Sequence, residues 1–146
     1  MDLEDLVARE EIRDVIARYS HAGDRGRLTE LVECFAEDGV MELEDVPPLR
    51  GRAAIRGYLD GVVAKLAAAT TRATLRHHVS SIRIERTAED AAKAHAYFAV
   101  YTEVGLDHWG RYDDRFARIE GTWRIARRRV RVDGATADSR MAGGSR

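Results

Sequence analysis

The hydrophobic period changes once along this chain, from near 3.6 residues to two at about His77, and that change most constrains the fold. Before it, Leu3, Leu6, Val7, Ile12, Val15, Ile16 and Tyr19 form one stripe ending near Gly23, the pattern of an amphipathic helix. Leu28, Leu31, Val32 and Phe35 predict a second, short helix, and Val40 to Leu43 a strand before the Pro47-Pro48 break. Ile55, Tyr58, Leu59, Val62, Val63 and Leu66 predict a third helix from Gly51 to about Ala68, followed by a polar loop over 69–74.

From His77 onward the pattern alternates. Ile82 and Ile84 oppose Arg83 and Glu85, and Thr87-Ala88-Glu89-Asp90 reads as a turn. In the long strand over 91–104, Ala92, Ala94, Ala96, Phe98 and Val100 share one face, small enough to admit a closely packed helix, and Lys93, His95, Tyr97 and Tyr101 share the other. A strand over 109–119 and one over 122–132 flank the Glu120-Gly121 turn, completing an antiparallel meander. Helices first and sheet afterwards imply an α+β domain in which the N-terminal helices cover one face of a strongly curved sheet, leaving an apolar pocket at the open end of the cone. One domain over residues 1–133 is expected, with a flexible tail over 134–146 unless a neighbouring subunit holds it.

Charge narrows the partners. The 24 Lys and Arg nearly cancel the 25 Asp and Glu, giving a net charge of −1 and no electrostatic case for nucleic acid or an anionic membrane. The acidic start, Met1-Asp2-Leu3-Glu4-Asp5, does not read as a signal peptide, and no apolar run approaches the roughly 20 residues of a membrane span. Cys34 is the only cysteine, which excludes an internal disulfide and multi-cysteine metal sites. These features lead us to expect a soluble cytoplasmic protein whose partner is a small molecule or another copy of itself. The five histidines show no helical His-x-x-x-His pair, and no glycine-rich phosphate loop stands between a strand and a helix, so the expected chemistry uses neither metal nor cofactor.

The residues able to carry chemistry are few. Asp24 is suited either to capping the second helix or to orienting a histidine base. His77 is a base or a strand-edge histidine, and His78 competes with it, because strict alternation puts His78 on the face of Ile82 and Ile84 unless an early bulge resets the register. Tyr19 continues the apolar stripe of its helix and Tyr58 that of the third helix. His95, Tyr97 and Tyr101 fit a pocket wall or an outward polar face, and His108 and Trp109 stand where the mouth of a cone would be. The run Arg127-Arg128-Arg129-Val130-Arg131 reads as a solvated face or a subunit interface, and Cys34 as inert packing.

Several segments, in this order, carry a resemblance: Ile12-Arg13-Asp14-Val15-Ile16-Ala17-Arg18-Tyr19 leading to Asp24, Leu31 to Val40, Gly51-Arg52-Ala53-Ala54-Ile55, Arg76-His77-His78-Val79, Gly110 to Phe116, and Gly121 to Arg128. Over roughly residues 3–132 the chain resembles the SnoaL-like branch of the nuclear transport factor 2-like superfamily. The resemblance implies a cone-shaped α+β barrel and, through scytalone dehydratase, bile-acid dehydratase and dehydrochlorinase-type members, a lyase or isomerase. Asp24 then matches the acid of a His-Asp dyad, His77 the base and Tyr19 a polarising tyrosine, while Arg128 would hold an acidic substrate group. Tyr58, Tyr97, His108 and Trp109 are the remaining expected lining residues. Other members are polyketide cyclases, epoxide hydrolases or subunits without chemistry, so a binding or accessory module and a cyclase-like enzyme stay open. The implied substrate is hydrophobic and carbonyl-bearing, and the implied assembly a homo-oligomer, trimer or dimer.

Overall fold

In the computed structural model, which describes residues 1–69 and 74–141, the elements run α1 (Leu3–Asp24), α2 (Leu28–Glu33), β1 (Phe35–Glu42), β2 (Leu49–Arg50), α3 (Arg52–Ala69), β3 (Arg76–Ala88), β4 (Ala91–Thr102), β5 (Gly105–Ile119) and β6 (Thr122–Ala135). Six strands form one open sheet in the order β2-β1-β6-β5-β4-β3. The meander β3 to β6 is antiparallel as expected, but β1 runs parallel to β6, so the sheet is mixed. That pairing is non-local. Phe35, read as the end of the second helix, instead opens β1 opposite Ile125, where the Ile125 amide donates to the Cys34 carbonyl at 2.8 Å.

Helix α1 begins at Asp2, whose carboxylate caps the Asp5 amide at 2.8 Å. Ile12, Val15, Ile16 and Tyr19 are buried against the sheet, whereas Leu3, Leu6 and Val7 are exposed, because the first turns overhang its edge. Arg9 ties this end down, bonding Asp5 and the Ile84 carbonyl of β3. The alanines Ala92 and Ala94 of β4 lie in one buried core cluster with Ala8, Ile12, Val15, Ile16 and Tyr19 of α1. Helix α1 rests chiefly on β3 and β6, and Ala94 and Ala96 have Asp114 and Tyr112 as their cross-strand partners on β5.

The expected end of the domain at residue 133 falls within β6, which continues to Ala135. Beyond it, Thr136, Ser139 and Arg140 all bond to Asp107, so residues 134–141 are anchored to the domain; the rest of the expected tail and most of the loop over 69–74 lie outside the described residues. No helix among the described residues is long and apolar enough to cross a membrane.

Candidate active site

Asp24 is the last residue of α1 and His77 the second of β3, and the fold brings them together. The His77 backbone N–H donates to Asp24 Oδ2 at 3.0 Å, and His77 Nδ1 lies 2.5 Å from Asp24 Oδ1. Asp24 does not cap the second helix: Arg27 is the N-cap of α2, and no side chain bonds there. An ionised carboxylate can only accept, so Nδ1 carries the proton and Nε2 is left as the basic nitrogen. The histidine side chain keeps 20% of its surface and the aspartate 9%, enough shielding to strengthen the contact while leaving the ring an open edge.

A bulge decides which histidine faces inward. The β3–β4 register shifts between Ser80 and Arg83, with Ser81 at φ 51°. Ile84 and Val79 therefore share the inner face despite their odd sequence separation, and His77, opposite buried Val100, joins them. His78 turns outward, its ring 5.1 Å from that of Tyr101.

Deeper on the same face stands Arg128, fully buried. Its guanidinium forks onto Asp114 at 2.9 and 2.7 Å and lies between two tyrosine rings, 4.2 Å from the Tyr19 centroid and 3.9 Å from that of Tyr112. Burial, the largest single influence, would make the guanidinium easier to deprotonate, but the charge and hydrogen bonds of Asp114, with Tyr19 and Tyr112, together outweigh it and keep Arg128 cationic. Among the described residues, Nη1 of Arg128 has no hydrogen-bond partner. Burial raises the Tyr19 phenol above its ordinary value, against a smaller opposing pull from Arg128, so its hydroxyl stays protonated at neutral pH. Tyr112 shifts the same way for the same first cause, and the Asp24 charge also reaches it, which places the dyad and the arginine in one electrostatic neighbourhood.

The other expected lining residues separate. His108 shares the inner face, its ring 6.0 Å from Phe98, which in turn stacks on Tyr112 at 4.7 Å. Tyr97 is 61% exposed and Trp109 37% exposed on the outer face, because strand alternation sets them opposite Phe98 and His108. Tyr58 is half-exposed on α3, which packs on α2, β1 and β2 rather than on the dyad's strand. His95 pairs with Asp113 at 2.5 Å on the exposed outer face. A cleft of about 550 Å³ between α1 and α2, lined in part by Arg18, His21, Cys34 and Arg124, is charged and shares no residue with the dyad. Among the described residues no group of three or more His, Cys, Asp or Glu is placed to hold a metal ion.

Sequence reasoning missed Asp107, Tyr112 and Asp114. The available signal was alternation: Tyr112, Asp114 and Phe116 share a phase, so an acid in that phase is buried and needs a cation.

The pattern of the SnoaL-like domain family matches residues 4–129. A protein of unknown function from Mycobacterium tuberculosis is 29% identical, with 91% of this chain and 80% of that chain covered at a TM-score of 0.75. A candidate scytalone dehydratase from Novosphingobium aromaticivorans superposes at 0.78 with 23% identity over 100% of both chains. A hexachlorocyclohexane dehydrochlorinase from Novosphingobium barchaimii superposes at 0.77 with 18% identity over 93% of each. No curated protein matches. At such identities the last two likenesses concern the fold.

Proposed function

The chain belongs to the SnoaL-like domain family of the nuclear transport factor 2-like superfamily, and from that membership and the Asp24–His77 contact we propose that it is a cofactor-independent lyase. Its most concrete form is a dehydratase acting on a hydrophobic, carbonyl-bearing small molecule. His77 Nε2 takes a proton from the carbon next to the carbonyl, and Asp24 holds the ring in the required tautomer and stabilises the imidazolium that forms.

The observation that carries this reading is the double grip of Asp24 on His77. A cap or a chance strand histidine needs one hydrogen bond; fixing the backbone and Nδ1 together holds the ring at one angle, as a base requires. Tyr19, kept protonated by burial, suits the role of donor to the carbonyl oxygen. Arg128, cationic and with Nη1 unpartnered among the described residues, suits stabilisation of the enolate charge or of an acidic substrate group. The fold of the candidate scytalone dehydratase and of the dehydrochlorinase, both named for eliminations, supports the reaction class by analogy. Exposed Tyr97, Tyr101 and Trp109 on the outer sheet face support association of copies, dimer or trimer, through that face.

The test is the appearance of a conjugated enone from an aromatic β-hydroxy ketone. The wild-type protein should form it, and His77→Ala should lower the rate by about 10²–10⁴-fold with unchanged circular dichroism. Undiminished turnover in that folded variant would exclude this mechanism.

A further inference from the structure

The outer face of the sheet carries charge that the inner site does not use. Strand pairing sets two rows of side chains next to one another across it. One row runs Glu85 on β3, Lys93 on β4, Arg115 on β5 and Arg127 on β6, each directly opposite the next. The neighbouring row runs Arg83, His95, Asp113 and Arg129, then Glu42 on β1. Side chains directly opposite on adjacent strands are close enough to interact, and like charges there repel. The first row therefore sets three cations side by side, which costs stability wherever nothing negative lies between them.

The neighbouring carboxylates do not neutralise this row. Lys93 pairs with Glu85 at 3.3 Å. Arg127 forks onto Glu42 at 2.8 Å through Nε and Nη2, and Arg129 Nε takes the same carboxylate at 3.0 Å, so one acid serves two guanidiniums. Arg115, exposed at the centre of the row, makes no hydrogen bond or ion pair among the described residues. Asp113, two positions from it on the same face, has Oδ1 engaged by His95 Nδ1 at 2.5 Å. Lys93, His95, Asp113, Arg115, Arg127 and Arg129 together line a cleft of about 380 Å³. Lys93, Arg127 and Arg129 stay partly exposed despite their contacts, and each guanidinium has five donors, so each can offer one to an incoming anion. Alternation along β6 puts Arg127 and Arg129 on the opposite side of the sheet from buried Arg128.

We propose that the row Lys93, Arg115 and Arg127 is a binding site for a small ligand bearing a diphosphate group. Adjacent strands lie about 4.8 Å apart, so the three cations span about 10 Å. One phosphoryl group meets two neighbouring cations, and a second is needed to bring in the third. Phosphate oxygens accept forked, charge-assisted hydrogen bonds from guanidinium groups, and their negative charge removes the repulsion within the row. Acids bound the site: Glu85 closes it at β3, the Glu42 carboxylate closes it beyond Arg127, and Asp113 stands beside its middle. They repel a longer run of phosphates such as a nucleic-acid backbone presents, and the net charge of −1 favours a small ligand for the same reason. Tyr97, Tyr101 and Trp109, suited to contact between copies, lie further along the same strands, beyond the row of His95 and Asp113. The site is separate from the Asp24–His77 dyad and stands whether or not that dyad is a base.

Isothermal titration of the full chain with inorganic pyrophosphate at low ionic strength tests it. Wild type should bind a single pyrophosphate saturably and inorganic phosphate more weakly, because the smaller anion reaches only two of the cations. Arg115→Gln should weaken pyrophosphate binding about 10- to 100-fold, the loss of one charged hydrogen-bonding group, and Lys93→Gln should act in the same direction. Arg131→Gln is the control. It removes the same charge from the same face, but in the row of Tyr97 and Arg111 rather than in the cleft, and should change affinity by less than about twofold. Circular dichroism confirms that each variant is folded. A nucleoside diphosphate should show the same dependence on Arg115: equal affinity would identify the diphosphate alone as the bound group, and tighter binding a diphosphate ester. Absence of saturable binding to wild type, or equal losses from Arg115→Gln and Arg131→Gln, would overturn the site. Tighter binding of a single-stranded oligonucleotide than of either diphosphate would overturn it too, since the bounding acids should exclude the longer chain.

Discussion

Asp24 holds His77 by two atoms, the backbone amide at 3.0 Å and Nδ1 at 2.5 Å, across 53 positions of sequence. The carboxylate belongs to the end of a helix whose middle is buried against the sheet, and the histidine to a strand pinned by a bulge. Both partners are thus fixed by packing that has nothing to do with chemistry, which is how a site is held to a narrow geometry.

Replacing Asp24 by Asn retains an acceptor for the backbone amide but removes the charge and permits the wrong tautomer. Turnover should fall by about 10²–10⁴-fold, close to the loss from His77→Ala, and the double variant should lose little more, since the two residues act as one unit. Rates of the two single variants and the double variant check this; additive losses would argue against a dyad.

The fork between Arg128 and Asp114 is a structural requirement as well as a candidate binding group. Arg128→Met leaves a buried carboxylate unpaired and should cost about 3–5 kcal/mol, whereas combining it with Asp114→Asn should recover part of that loss. Urea unfolding of the two variants against wild type measures both figures.

What could be read beforehand followed from local pattern, and what could not followed from register. The helical stripe of α1 and the alternation of β4 announce themselves, and with them the α+β order of the chain. Whether His77 or His78 faces inward depends on one residue at Ser81, and strict alternation points to the wrong histidine. Asp107 and His108 look like opposite-facing neighbours until the bulge in β5 puts them together. The parallel pairing of β1 with β6 joins segments far apart in sequence, for which no local signal exists. Family likeness supplied the Asp24–His77 pairing that residue chemistry alone left open between a cap and a base.

Because Ser81 sits at φ 51°, its backbone suits glycine and penalises a β-branched residue. Ser81→Gly should be within about 1 kcal/mol of wild type, with the His77 contact retained, and Ser81→Val should lose roughly 1–2 kcal/mol. Thermal unfolding with the His77 NMR signal as a site probe checks both.

Burial is the main cause that holds His108 below the ordinary histidine value, against the upward pull of Asp107. As pH falls below about 6.5, the unfolded chain takes up a proton that the native His108 refuses. The stabilisation present above that value is therefore lost as pH drops through the native value, and the loss then levels off. Unfolding free energies between about pH 7.5 and 5.5 should decline more steeply for wild type than for His108→Asn; parallel curves would contradict the placement of this ring.

The account stands on the state of His77, and nitrogen NMR of its imidazole reads that state without any substrate. Above its titration, Nδ1 should carry the proton and be hydrogen-bonded, Nε2 should be bare, and Asp24→Asn should disturb that preference. A ring protonated at Nε2, or one indifferent to Asp24, would contradict the claim that this pair is a general base.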